Sequence, residues 1–168
     1  MINIINVGLG NFMSVKNWAC LFSSNVKIIS NKNQYKSGCI IIPGVSSSTQ
    51  LMKNLITHDF VGLIKKAKKN EEKIIGFCSG FQVLGSVSME DDGIKCLDFL
   101  PFKVKKIKDK SGSSIGCTGW KNVKIQINKN TKFGNNFERI KKIEGEAYFN
   151  HEYAAIIKQN EILKNDIY

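Results

Sequence analysis

At 168 residues, with 42% apolar residues and only two prolines, the chain can build one domain with a sizeable core and is too apolar for a disordered tail. Its net charge of +11 raises nucleic-acid binding, but of its 25 basic residues only Arg139 is arginine. The lysines are spread out without interleaved aromatic residues, so a solvated lysine surface is expected and no nucleic-acid partner.

Met1–Val7 has neither the basic start nor the cleavage site of a leader, and no apolar run approaches the roughly 20 residues of a membrane span. A cytoplasmic protein without a membrane partner is the expectation. Ile2–Val7 instead reads as a first strand, followed by a glycine turn at Gly8-Leu9-Gly10. A helix is predicted from about Ser14, its expected N-cap, to Phe22, with Val15, Trp18, Ala19 and Phe22 on one face. Val26–Ser30 is a second strand. Cys39–Ile42, apolar throughout, fits a parallel strand covered on both sides. A Pro43-Gly44 turn and a Ser46-Ser47-Ser48 loop follow. Thr49–Leu55 and Phe60–Lys69 read as helices, the second turning Phe60, Leu63, Ile64 and Ala67 inward, and Lys73–Phe77 is a further strand. Alternating strands and crossover helices predict an α/β fold with a mainly parallel sheet.

The second half has a different texture. Phe102–Ile107 and Asn122–Ile127 look like strands separated by a polar, glycine-rich connection at Ser111–Gly119, and Ala147–Asn150 and Tyr153–Ile157 are short strand candidates. No repeat or linker interrupts the chain, so residues 1–168 are expected to form a single domain.

The chemistry concentrates at Gly76-Phe77-Cys78-Ser79-Gly80. Strand, Gly-x-Cys-x-Gly and helix in that order is the form of a nucleophile elbow, with cysteine in place of serine. Glycines flank the nucleophile because the turn leaves no room for side chains. The N–H groups opening the next helix are expected to favour the thiolate. The other cysteines, at 20, 39, 96 and 117, form no CxxC pair, which argues against a disulfide scaffold or a zinc site; Cys20 and Cys39 are expected in the core. With only His58 and His151 for imidazoles, no histidine-rich metal cluster is possible. Gly8-Leu9-Gly10 lacks the third glycine of a dinucleotide fingerprint, since position 13 is Met, and residues 25–33 hold no acidic residue. From the residues alone, Gln82 could be an exposed helix position and Trp120 a packing residue.

Five segments, in order, resemble the class I glutamine amidotransferases. Within them the chain is similar to glutaminase subunits of the imidazole glycerol phosphate synthase type and their surface-glycan relatives. These segments are Gly8-Leu9-Gly10-Asn11-Phe12-Met13-Ser14-Val15, Pro43-Gly44-Val45, Gly76 to Leu84, Gly119-Trp120 and Phe149-Asn150-His151-Glu152-Tyr153. The resemblance implies a flavodoxin-like, doubly wound sheet and hydrolysis of L-glutamine through a thioester on Cys78. It also implies an oxyanion hole from the Ser79 N–H and the Gly44-Val45 segment. Gln82, His151, Glu152 and Tyr153 would hold the amino-acid end of the substrate. Neither cofactor nor metal is implied. The implied partner is a barrel-type cyclase or synthase subunit, in a heterodimer that consumes the ammonia in histidine biosynthesis or sugar amidination.

Three departures temper activity. The family's base comes from a later His-Pro-Glu segment that does not occur here, and the sequence closes at Asp166-Ile167-Tyr168. Ser46 stands where the family has a second glycine, and Ser79 and Phe81 replace Leu and Met. A fold lacking its C-terminal segment is therefore expected, with weak glutamine hydrolysis. The alternatives are an inactive, partner-binding member of the family, or an unrelated cysteine hydrolase or acyltransferase.

Overall fold

The computed structural model describes residues 1–126 and 142–157. Its first half runs β1 (Ile2–Ile5), α1 (Phe12–Cys20), β2 (Val26–Ile29), β3 (Cys39–Ile42), α2 (Ser48–Thr57), α3 (Phe60–Lys69) and β4 (Ile74–Gly76). The four strands pair in parallel in the order β2-β1-β3-β4, with Ile4 opposite Ile28 and Ile41, and Ile41 opposite Ile75. Alternation along the strands sends Ile5, Ile29, Ile40 and Ile42 into a core with Leu51, Leu55, Phe60 and Ile64 of α2 and α3. Ile4 and Ile41 go to the opposite face, against Ala19 of α1. Both faces are covered, which is why the strands are continuously apolar. This is the flavodoxin-like, doubly wound α/β arrangement. Its strand order reverses between β1 and β3, so a crevice for ligand opens at their carboxyl ends.

After β4 come α4 (Ser79–Gln82), β5 (Val87–Ser88), β6 (Ile94–Lys95), β7 (Lys103–Lys106), β8 (Cys117–Gln126), β9 (Lys142–His151) and β10 (Tyr153–Ile156). A second sheet has the order β10-β7-β5-β6, with only the β5–β7 pair parallel. Phe81 stacks on Phe102 at 5.0 Å between ring centroids and so fastens the start of β7 to the elbow. β8 and β9 form an antiparallel ribbon running from Cys117 opposite His151 to Gln126 opposite Lys142. No described helix is long and apolar enough to cross a membrane.

Several local expectations change. α1 starts two residues before Ser14 because the Asn11 side chain accepts the Ser14 N–H at 3.2 Å, making Asn11 the cap. The helix ends at Cys20, and of its predicted inner face only Ala19 is buried; Trp18 and Phe22 are exposed and meet edge to face at 5.3 Å. Cys20 is exposed and Cys39 half-buried, so neither is a fully buried core thiol. The predicted strand Asn122–Ile127 is the distal part of β8, with position 127 outside the described residues, and Ala147–Asn150 lies inside β9. The long cross-strand ladder draws Cys117–Gly119 out of the supposed loop. Asp166-Ile167-Tyr168 also lies outside the described residues.

Candidate active site

The elbow forms as its sequence demands. Cys78 sits between β4 and the single turn of α4 with φ 54° and ψ −119°, a region that L-residues occupy only when the surroundings enforce it. Its neighbours enforce it. An ideal Cβ on Gly76 would stand 2.3 Å from the Gly80 carbonyl oxygen, and one on Gly80 would stand 1.9 Å from the Ile42 carbonyl oxygen. Gly44 sits directly against the elbow, where a Cβ would lie 2.1 Å from Ser79 Oγ and 2.5 Å from the Gly80 nitrogen. The turn after β3 and the elbow after β4 are therefore in backbone contact. The glycine loop after β1 braces this pair: Gly10, at φ 102°, comes so close to Pro43 that a Cβ would be 3.0 Å from the proline Cβ.

Electrostatics at Cys78 run against the sequence expectation. Loss of water around the sulfur pushes its pKa above the ordinary thiol value. A hydrogen bond from the Ser79 N–H pulls it down, and the negative field of Glu90 pushes it up again. The one-turn helix supplies a favourable N–H, but desolvation outweighs it. Iodoacetamide alkylation of Cys78, read by peptide mass spectrometry, is thus expected to be slow at pH 7. It should climb about tenfold per pH unit toward the raised pKa, and Glu90→Gln should move that climb to lower pH. A rate already flat at neutral pH would mean a standing thiolate.

Cys78 opens onto two cavities. The first, about 510 Å³, is lined by Phe77, Phe81, Gln82, Cys117, Phe149 and His151 among others. The second, about 470 Å³, is polar, with Val45, Ser46, Ser47, Gln82, Glu90, Asp91, His151, Glu152 and Tyr153 in its wall. Both lie in the size range of small-molecule sites. Gln82, His151 and Tyr153 thus share both cavities with Cys78. Gln82 is 9% exposed and donates from Nε2 to the Tyr153 carbonyl at 3.2 Å, so it is no surface helix residue. The Glu152 carbonyl accepts the Ile107 N–H at 2.7 Å, and its carboxylate lies 3.6 Å from Lys106 Nζ. His151, ending β9, lines both cavities that Cys78 lines; His58, exposed, closes the C-terminus of α2. Among the described residues, no three His, Cys, Asp or Glu side chains converge as for a metal ion.

Sequence reasoning missed two parts of this wall. Glu90 Oε2 accepts the Ser48 N–H at 2.7 Å and the Ser48 hydroxyl at 2.8 Å, while Ser47 Oγ donates to Asp91 at 2.7 Å. These carboxylates sit at the start of α2, where a helix favours negative charge. They also fasten the serine loop beside Cys78. The signal available was Ser47 as an N-cap, which says nothing about a carboxylate more than 40 residues away. Cys117 and Phe149 reach the cavity because residues alternate faces along the ribbon. The opposite face carries Trp120, 68% exposed and paired across the strands with Tyr148 at 5.7 Å between rings. Trp120 is therefore not a core packing residue.

A strained cysteine elbow at the crevice of a doubly wound sheet, pressed against the turn of the neighbouring strand, is an arrangement that fits a domain of the glutamine amidotransferase class. Comparison with known proteins agrees. The model of the CobB/CobQ-like glutamine amidotransferase domain matches residues 9–152, and the chain belongs to that family. It is similar to imidazole glycerol phosphate synthase subunit HisH of Buchnera aphidicola subsp. Melaphis rhois, 30% identical over 163 residues, covering 96% of this chain and 88% of that protein. HisH of Thermotoga maritima is 28% identical, covering 96% of this chain and 75% of that protein. HisH 2 of Methanococcus maripaludis is 32% identical, covering 93% and 75%.

Proposed function

We propose that the chain is the glutaminase subunit of imidazole glycerol phosphate synthase, hydrolysing L-glutamine at Cys78 and passing ammonia to a barrel-type synthase subunit for histidine biosynthesis. The observation that carries this reading is the left-handed Cys78 between two cavities, with Gly44 against its elbow. In this reading the sulfur adds to the side-chain amide carbon. The Ser79 N–H and the Gly44-Val45 segment bind the developing oxyanion, ammonia leaves, and water cleaves the glutamyl thioester. The acidic wall of the polar cavity suits the substrate's ammonium group. Gln82, His151, Glu152 and Tyr153 line that end. The HisH names of the relatives favour the histidine pathway over sugar amidination.

The test is co-purification with the synthase subunit followed by glutamate release with and without the synthase substrate. Release that rises in the complex supports the reading. A stable complex without any release would instead favour a partner-binding protein that keeps the fold.

The outer face of the β8–β9 ribbon suits that partner. Exposed Trp and Tyr pairs make strong interface anchors, and the inner face of the same strands lines the Cys78 cavity, so docking here would bear on the catalytic wall. Trp120→Ala is expected to weaken the complex by about 10- to 100-fold, measured by calorimetric titration. Unchanged affinity would remove the ribbon from the interface.

A further inference from the structure

Ser79 holds a polar atom that this chemistry leaves unused. The residue is 1% exposed, and its Oγ is buried with no hydrogen-bond partner among the described residues. Native proteins rarely tolerate such an orphan, and a strained or catalytic setting is a recognised reason for one.

The hydroxyl abuts the turn after β3, since an ideal Cβ on Gly44 would be 2.1 Å away. Most of the backbone nearby is fixed. The Ile42 carbonyl accepts the Phe77 N–H at 3.0 Å, and the Phe77 carbonyl accepts the Gly80 N–H at 2.8 Å. Pro43 is held by its ring. The Gly44-Val45 peptide is freer: it has glycine on one side and, on the other, a valine whose side chain is 66% exposed.

We propose that Ser79 is a positioning residue whose hydroxyl donates to the Gly44 carbonyl when the Gly44-Val45 peptide turns its N–H toward the oxyanion. One residue then supplies a main-chain donor to the oxyanion and holds the second donor in place from below. The inference rests on the glutaminase reading of Cys78, and its test separates the two.

The probe is 6-diazo-5-oxo-L-norleucine, whose ketone oxygen takes the oxyanion position. The Cys78 sulfur adds to the ketone carbon, giving a tetrahedral oxyanion; the diazo carbon takes the thiol proton, the sulfur shifts to that carbon as dinitrogen leaves, and the ketone re-forms. Methyl methanethiosulfonate serves as the control, because disulfide exchange at Cys78 forms no oxyanion. In the full chain, Ser79→Ala is expected to slow diazoketone labelling of Cys78 at least about tenfold, as loss of oxyanion support does. The disulfide reagent should react at an unchanged rate. Removing the orphan should also raise the melting temperature by about 2–4 °C.

Equal labelling of Ser79→Ala and the unsubstituted chain overturns the inference and leaves the glutaminase reading standing. Equal slowing with both reagents overturns it too, since Ser79 would then act through the thiol. An unsubstituted chain that takes the disulfide reagent at Cys78 but never the diazoketone overturns the glutaminase reading and this inference with it.

Discussion

Cys78→Ala is expected to abolish the glutamate release shown by the complex with the synthase subunit, because the thioester route has no other nucleophile. The fold should survive. Cys78 is exposed, and alanine fills the left-handed position no worse than cysteine does, so the melting temperature should hardly move. A glutamine-analogue electrophile gives the companion result: its mass should appear on the Cys78 peptide and on no other. Two of the other thiols make this a demanding test. Cys20 is exposed, and Cys117 lines the same cavity as Cys78. Labelling that also reaches Cys20 would be thiol reactivity alone, and labelling at Cys117 would mean that the ribbon, not the elbow, meets the substrate's reacting end. Release by Cys78→Ala within tenfold of the unsubstituted chain would dismiss the thioester route.

What the sequence disclosed follows from the range of each signal. Cys39–Ile42 and Phe60–Lys69 match the observed β3 and α3 end for end, because an unbroken apolar run and a 3.6-residue stripe are both local patterns. Gly76-Phe77-Cys78-Ser79-Gly80 carried the elbow for the same reason: steric demands between near neighbours select glycine. Cys20 was misplaced because it belongs to an apolar stretch whose outer side, at Trp18, Leu21 and Phe22, stays exposed. The two-residue strands β5 and β6 are too short to show alternation. Glu90 escaped because its contact to Ser48 spans 42 positions. The state of the Cys78 thiol was misjudged since a helix N-terminus can be read from order alone, whereas desolvation depends on walls brought in from Val45 to Tyr153.

Gly80→Ala is expected to be severely damaging although it leaves Cys78 in place. The added methyl would stand 1.9 Å from the Ile42 carbonyl oxygen, 2.8 Å from its carbon and 3.3 Å from the Pro43 carbonyl carbon. All three are backbone atoms. That carbonyl oxygen also accepts the Phe77 N–H at 3.0 Å, so moving it breaks the link by which β4 enters the elbow. No side chain can swing aside, and overpacking of this kind costs about 3 kcal/mol or more, roughly 6–12 °C in melting temperature at this size. Whatever folds would carry Ser79 and Cys78 away from Gly44, so diazoketone labelling should fall even well below the transition. Gly62→Ala in α3 makes the opposite comparison. Its Cβ would meet nothing within 4 Å, and an alanine inside a helix is worth up to about 1 kcal/mol over glycine. Thermal melts of the two variants beside the unsubstituted chain should therefore bracket it, Gly62→Ala above and Gly80→Ala far below. If Gly80→Ala melts within about 2 °C of the parent, the closeness of the two turns does not hold the cysteine in its strained conformation, and the oxyanion geometry built on that closeness falls with it.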